Sequence, residues 1–185
     1  GTQHWIAGFS SNTLLGNVNI GFLLQQIDLY LQAKGMGSLW FGMGIQPKKT
    51  EGMADPLQYA IRMRLGYAKG HVSREDRSDF IRNPLKEITD HTRWGEILEA
   101  VRLAPSAANS QPWFFAKIAD GFHVYCRRSG LIKNRLYGRM HQFDIGIAVC
   151  HACLALQHFG YFVQVVIKKD PSKRRLLLCA FYPIQ

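Results

Sequence analysis

No apolar run in this chain approaches the length that crosses a bilayer, so no membrane-spanning helix is expected. The opening residues, Gly1-Thr2-Gln3-His4, carry no basic n-region and no initiator Met. No secretory signal is read there, and the expectation is either a processing scar at Gly1 or a lost upstream portion. Low-complexity segments are absent. Acidic residues are few, 13 against 23 Lys and Arg, which leaves a formal net charge of +10. Yet no basic helix or nucleic-acid motif accompanies that charge. The cations are dispersed: Arg62, Arg64, Lys69, Arg74, Arg77, Arg82 and Lys86, then Arg127, Arg128, Lys133, Arg135 and Arg139, then Lys168 to Arg175. A solvated basic surface is the reading, with no nucleic-acid partner and no membrane.

Cysteine is scarce too, with four in 185 residues. Cys150 and Cys153 form a C-x-x-C with His151 inside it, a spacing that invites a redox or zinc reading. The surrounding segment, Ile145 to Phe159, is a continuous apolar helix pattern, in which small thiols read as core residues. Cys126 and Cys179 lie in strand-like runs, and no second close Cys/His pair completes a zinc site. No metal is expected, and unpaired cysteines without a signal peptide favour a reducing cytoplasm.

What is present suits a compact enzyme. A hydrophobic content of 47% over this length buries one good core, arranged as one domain or two small halves. His4 to Ser10 reads as a strand. Leu23 to Lys34 has helical period, with Gly35 suited to its C-terminal closure. Ser38 to Gly44 reads as a short strand or turn, Pro47 to Pro56 as a loop and Leu57 to Tyr67 as a strand. Lys69 to Ile88 is polar, basic and weakly periodic, as in an extended loop. Thr92 to Leu103 is a helix, and strands follow near Trp113 to Ile118, Gly121 to Cys126, Tyr161 to Lys168 and Leu176 to Tyr182. Ile145 to Phe159 is the second long helix, with Asp144 as its N-cap. The predicted class is α+β, with long helices packed on antiparallel-rich sheet.

The most informative stretch is Ala104-Pro105-Ser106-Ala107-Ala108-Asn109-Ser110-Gln111-Pro112-Trp113. Pro105 and Pro112 remove backbone donors and fix φ. Ser106, Asn109 and Gln111 set short hydrogen-bonding side chains between them. Trp113-Phe114-Phe115-Ala116 then begins a buried strand. A helix end, a polar loop and a core strand within so few residues suggest a loop held rigidly against a ligand. An ordinary capped helix-to-strand loop is the other reading.

The run from Leu103 to Phe114 resembles the A-P-S-x-x-N-x-Q-P-W-x-F signature of the flavin-dependent nitroreductase family. Asn19 to Gln32, running into Gly35-Met36-Gly37-Ser38-Leu39-Trp40-Phe41-Gly42, is similar to that family's flavin-facing helix and its G-L-G-x-x-W-x-G turn. The Pro-Ser block lies downstream of the glycine-tryptophan turn, an order similar to the branch in which one chain carries two nitroreductase-like halves. The resemblance implies FMN as cofactor, NAD(P)H as co-substrate and a small-molecule electron acceptor such as a nitroaromatic or quinone. It implies that Trp40, Phe41 and Gly42 face flavin N5 with a backbone N–H, and that Pro105, Ser106 and Asn109 line the isoalloxazine and ribityl side. Gln111 and Trp113 are assigned to loop and core. The phosphate would fall to Arg82, in Phe80-Ile81-Arg82-Asn83-Pro84-Leu85, since the family's N-terminal R-R-S-x-R cluster has no counterpart here. Gly42 reads equally as a turn glycine, Arg82 as a solvent-facing arginine, and Asn109 as a side chain bonding its own backbone. No catalytic acid, base or nucleophile is nominated among Asp28, Asp144 and His151.

An internal echo points to two related halves. Asn19-Ile20-Gly21 matches Asp144-Ile145-Gly146, and at the same offset Leu29, Leu31, Gln32 and Gly35 match Leu154, Leu156, Gln157 and Gly160. The halves are drawn at 1–90 and 91–185, forming one compact unit: a monomer by internal duplication, or a homodimer. Two functional classes stand: an FMN-dependent oxidoreductase, and a non-catalytic flavin- or small-ligand-binding protein on the same fold.

Overall fold

Both long helices begin well before the limits read from the sequence. In the computed structural model, which describes residues 4–42, 46, 48–67, 70, 74, 76–91, 94–118, 121–127, 131–166 and 176–184, helix α1 spans Leu14–Ala33. Its N-cap is Thr13, whose Oγ1 accepts from the Gly16 N–H at 3.1 Å. The other long helix, α4, spans Leu131–His158. Asp144, read from sequence as an N-cap, therefore lies inside α4, and in α1 the polar Gly16, Asn17 and Asn19 masked a Leu14, Val18, Phe22 stripe that packs against the core. The two C-termini close alike. Gly35 has φ 73° and Gly160 φ 82°. Each donates its N–H to a glutamine carbonyl, Gln32 at 2.9 Å and Gln157 at 3.0 Å, while the next residue reaches the carbonyl of Leu31 or Leu156.

Strands β1 His4–Ser10, β2 Gly37–Phe41, β3 Gln58–Gly66, β4 Trp113–Ile118, β5 Gly121–Cys126, β6 Phe162–Val166 and β7 Leu176–Ile184 complete the framework. Short helices α2, Leu85–Ile88, and α3, Gly95–Arg102, lie between β3 and β4. The stretch expected as extended loop thus holds α2 and a 3-10 turn at Arg77–Asp79, which Asp76 and Asp79 cap reciprocally. The expected boundaries at Gly44, Pro47, Lys69, Thr92 and Lys168 fall outside the described residues.

The strands form two antiparallel sheets, ordered β1-β3-β2 and β4-β5-β7-β6. In each, a strand leads into a long helix, the helix into a second strand, and the third strand lies between the first two. Each sheet also slips register once, between Gly8 and Phe9 in β1 and between Val124 and Tyr125 in β5. The α+β class and the antiparallel sheets agree with the sequence reading. No helix among the described residues is long and apolar enough to cross a membrane.

Helices α1 and α4 cross at bare backbone. A Cβ added at Gly21 would collide with the backbone of Phe143, and one at Gly146 with the Val18 carbonyl oxygen and, at 2.7 Å, the Phe22 nitrogen. Beside the crossing, the Asn17 Nδ2 donates to Gln142 Oε1 at 2.8 Å. Behind α4 lies the main core, where Trp94, Trp113, Phe115 and Phe122 pack with Ile145, Val149 and Leu156. Cys150 and Cys153 are buried there, and burial pushes both thiols up to about 12.

Because neither backbone at the crossing can yield like a flexible side chain, Gly146→Ala is expected to destabilise the fold by about 2–3 kcal/mol. Urea denaturation measures it; an unchanged midpoint would show that the helices are free to separate.

Candidate functional site

The α1–α4 crossing leaves room on one side. A cleft of about 740 Å³ opens between β2, the later turns of α1, the loop after α3 and the middle of α4. That volume lies within the range of small-molecule and cofactor sites. Part of its wall is Asp28, which is buried on α1. Its carboxylate accepts from Gln32 Nε2 at 3.0 Å, from Ser38 Oγ and from Trp40 Nε1 at 3.1 Å. Strand alternation puts Ser38 and Trp40 on one face, so Asp28 fixes how β2 presents Trp40. Phe41 points to the other face. Its ring meets Trp5 edge-on at 5.1 Å, and the Arg62 guanidinium lies 5.7 Å over it. Gly42 lines the cleft beside Met140, whose sulfur a Cβ there would strike.

The opposite wall is the loop after α3. Pro105, Ser106, Ala107 and Ala108 line the cleft. Ala108, Asn109 and Gln111 have φ of 50°, 52° and 45°, left-handed values that cost strain in any residue with a Cβ. Side chains hold them there. Ser106 Oγ accepts from the Gln111 N–H at 2.9 Å, and Gln111 Oε1 accepts from the Asn83 N–H at 2.8 Å. Asn109 Nδ2 donates to the Ile81 carbonyl at 2.9 Å, and its Oδ1 accepts from Arg82 Nη1 at 3.0 Å.

Arg82 is a fastener. Its Nε donates to the Ala104 carbonyl at 3.1 Å and its Nη2 to the Leu103 carbonyl at 3.2 Å, satisfying the C-terminal end of α3. Desolvation, then the nearby Arg74 and Arg102 charges, lower its pKa. Arg82 and Arg74 both line the cleft, with their guanidinium carbons 5.6 and 4.9 Å over the Phe80 ring. Among the described residues Arg74 has no hydrogen-bond or ion-pair partner. Of the residues singled out in the sequence, Trp40, Gly42, Arg82, Pro105 and Ser106 thus share one cleft. Phe41 and Asn109 are outside its lining.

Three buried polar atoms on the cleft residues lack partners among the described residues: Gln25 Oε1, Asp144 Oδ2 and His151 Nε2. His151 Nδ1 lies 3.0 Å from the Ala100 carbonyl, so the ring donates there and turns a lone pair at Nε2 toward the cleft. Burial lowers its pKa to about 4, outweighing the Ala100 bond and the Asp28 charge. Asp144 Oδ1 accepts from the Ala107 N–H at 2.9 Å. Burial raises that carboxyl to about 7 against the Ala107 bond. Unpaired atoms of this kind each cost free energy. Together they form a wall suited to a planar, polar-edged ligand.

Residues 1–156 match a family model described as "Putative TM nitroreductase". The chain belongs to this family. That makes it an oxidoreductase by family. Its fold resembles a crystal structure of a "putative nitroreductase" from Thermotoga maritima, at 20% identity and a TM-score of 0.64, with 100% of this chain and 76% of that one covered. No curated protein matches the chain.

Within this nitroreductase-family cleft, sequence reasoning missed Gln25, Arg74, Asp144 and His151 as wall residues. A signal was available. On α1 the buried stripe Asn17, Gly21, Leu24, Gln25, Asp28 carries polar side chains at core spacing. On α4, Asp144 and His151 stand two turns apart on one face with Ile147. Polar residues on an inward stripe mark a site, and reading them as caps or fillers hid it.

Asp144 and His151 pull stability in opposite directions with pH. His151, with a folded pKa of about 4 against 6.5, loses its contribution as pH falls through that window. Asp144, with a folded pKa of about 7 against 3.8, loses its own as pH rises. The two offset in the intact chain. In His151→Asn, whose amide can still donate to Ala100, stability is expected to decline on the order of 3 kcal/mol as pH rises from 3.8 to about 7. Urea midpoints across that range test it, and a rising trend would contradict the Asp144 assignment.

Proposed function

We propose that the cleft holds FMN and that the chain carries hydride from NAD(P)H, by way of the flavin, to a small acceptor such as a nitroaromatic or quinone. The observation that carries this reading is convergence. Trp40 and Gly42, distant in sequence from Pro105 and Ser106, share one wall-lined cleft with three unpartnered buried polar atoms. Flavin, when bound, supplies reversible two-electron chemistry at its ring.

The protein's part is to hold and shield. His151 Nε2 and Gln25 Oε1 are both acceptors, each suited to a ring N–H. Ile61, Phe143 and Ile147 offer apolar surface to a flat ring. Arg74 is the better phosphate partner, because Arg82 already donates to Ala104, Leu103, Ile81 and Asn109 oxygens. Trp40 is oriented through Asp28, and Phe41 contributes backbone alone. Asn109 acts on the site by steadying Arg82 and the loop.

The matching sheet orders, register slips and helix closures support two halves related by duplication, at 1–90 and 91–185, enclosing one site within one chain. A monomer is the reading these features favour, with a homodimer as the alternative, in a reducing cytoplasm. The commitment of Arg82 to carbonyls favours the second functional reading, a flavin- or small-ligand-binding protein without turnover.

Titration of FMN against the purified chain is expected to quench flavin fluorescence with a saturable midpoint. NAD(P)H oxidation is then expected to depend on added quinone. Binding without that turnover supports the second reading, and no FMN binding refutes the oxidoreductase reading and the flavin-binding form of the second. Arg74→Ala is expected to weaken FMN about tenfold, as for one lost charge-assisted bond, and to leave riboflavin, which lacks the phosphate, unchanged. Equal loss for both ligands would remove Arg74 as the anchor.

A further inference from the structure

Asp144 is an odd residue for its place. It lies in the interior of α4, 3% exposed, among the buried residues Phe143, Ile145 and Ile147. Among the described residues its one bond is from the Ala107 N–H to Oδ1. Oδ2 is buried, unpartnered and part of the cleft-lining side chain. The charged and titratable groups nearest this wall are Asp28 on α1, Arg74 and Arg82 on the segment before α2, and His141 and His151 on α4. None of them bonds the Asp144 carboxyl. Arg82 is spent on carbonyls, and burial lowers both histidines. At position 19, the counterpart in the sequence echo, an asparagine stands exposed. An anchor for Ala107 needs only a carbonyl-type acceptor, which an asparagine side chain supplies equally well. Something beyond anchoring is needed to account for an acid here.

We propose that Asp144 is the proton donor of the cleft, giving the Oδ2 proton to the acceptor as the acceptor takes up a hydride. The inference rests on the oxidoreductase reading above. The balance is complete. A quinone gains the electron pair and hydrogen of the hydride from reduced flavin, which NAD(P)H regenerates. It gains a proton from Asp144 as the Oδ2–H bond breaks and an O–H bond forms on the product hydroquinone. The carboxylate left behind takes a proton from water before the next turnover. Burial keeps the acid protonated up to about pH 7, within the range where a general acid works best.

Asp144→Asn separates this role from anchoring, since its amide oxygen still accepts from Ala107 and its nitrogen cannot deliver a proton. Infrared difference titration of the flavin-free protein is expected to show a protonated-carboxyl C=O band that bleaches through about pH 7 and is missing from Asp144→Asn. Wild-type kcat with a quinone is expected to fall as pH rises through the same midpoint. In Asp144→Asn saturated with FMN, kcat is expected to drop on the order of a hundredfold and lose that limb. A wild-type rate and pH profile in Asp144→Asn overturns the proposal, as does absence of the infrared band. A wild-type chain that takes up no flavin overturns the oxidoreductase reading and the proton step with it, and the band alone then identifies a buried acid without that role.

Discussion

Two glycines bring the backbones of α1 and α4 into direct contact, and the site depends on that contact. At Gly21 and Gly146 each helix lies where a side chain of the other would have been. Approach this close brings the inward stripes of both helices to one side of the crossing. Gln25 and Asp28 then face the same cleft as Asp144 and His151. A larger residue at either glycine would spread the helices and pull those polar groups apart before it touched any of them. The site is therefore controlled from two positions outside its lining.

The second constraint is the loop opposite. Its backbone visits left-handed φ at three non-glycine residues, and its own side chains, with Arg82 from the preceding segment, hold it there. Asp144 ties it to α4 through Ala107. The cleft thus has one wall set by helix packing and another set by hydrogen bonds. Buried polar atoms left open between them are a stored cost that a matching ligand can recover.

Much of this was legible before any coordinates. Strands β1, β4 and β5 were read at their observed limits because alternation and turn residues frame them sharply. The expectation that the Trp40–Gly42 turn meets the Pro105–Asn109 loop rested on the family resemblance of two local motifs, and Asn109 falls outside the cleft lining. The helix starts were not legible. In α1, Gly16, Asn17 and Asn19 interrupt a Leu14, Val18, Phe22 stripe, and charge is scattered through the first turns of α4, so the start of each apolar period was hidden. Asp144 looked like a cap for the same reason: an acid before an apolar run is read as a beginning. Arg82 looked like a free cation because no pattern shows that the carbonyls ending α3 fold back onto it. Phe41 was read with its neighbours, although strand alternation alone turns it away from them.

The loop's fastening also bears on how quickly the cleft can be filled. Its bonds run to Asn83, Ile81, Arg82 and Asp144, all within the protein itself. The conformational entropy of ordering it is therefore lost during folding and not at association. A molecule reaching the cleft meets, on this side, a loop already tied in place. Its arrival is then governed by diffusion through the basic field around Arg74 and Arg82, and association with an anionic ligand slows as ionic strength rises.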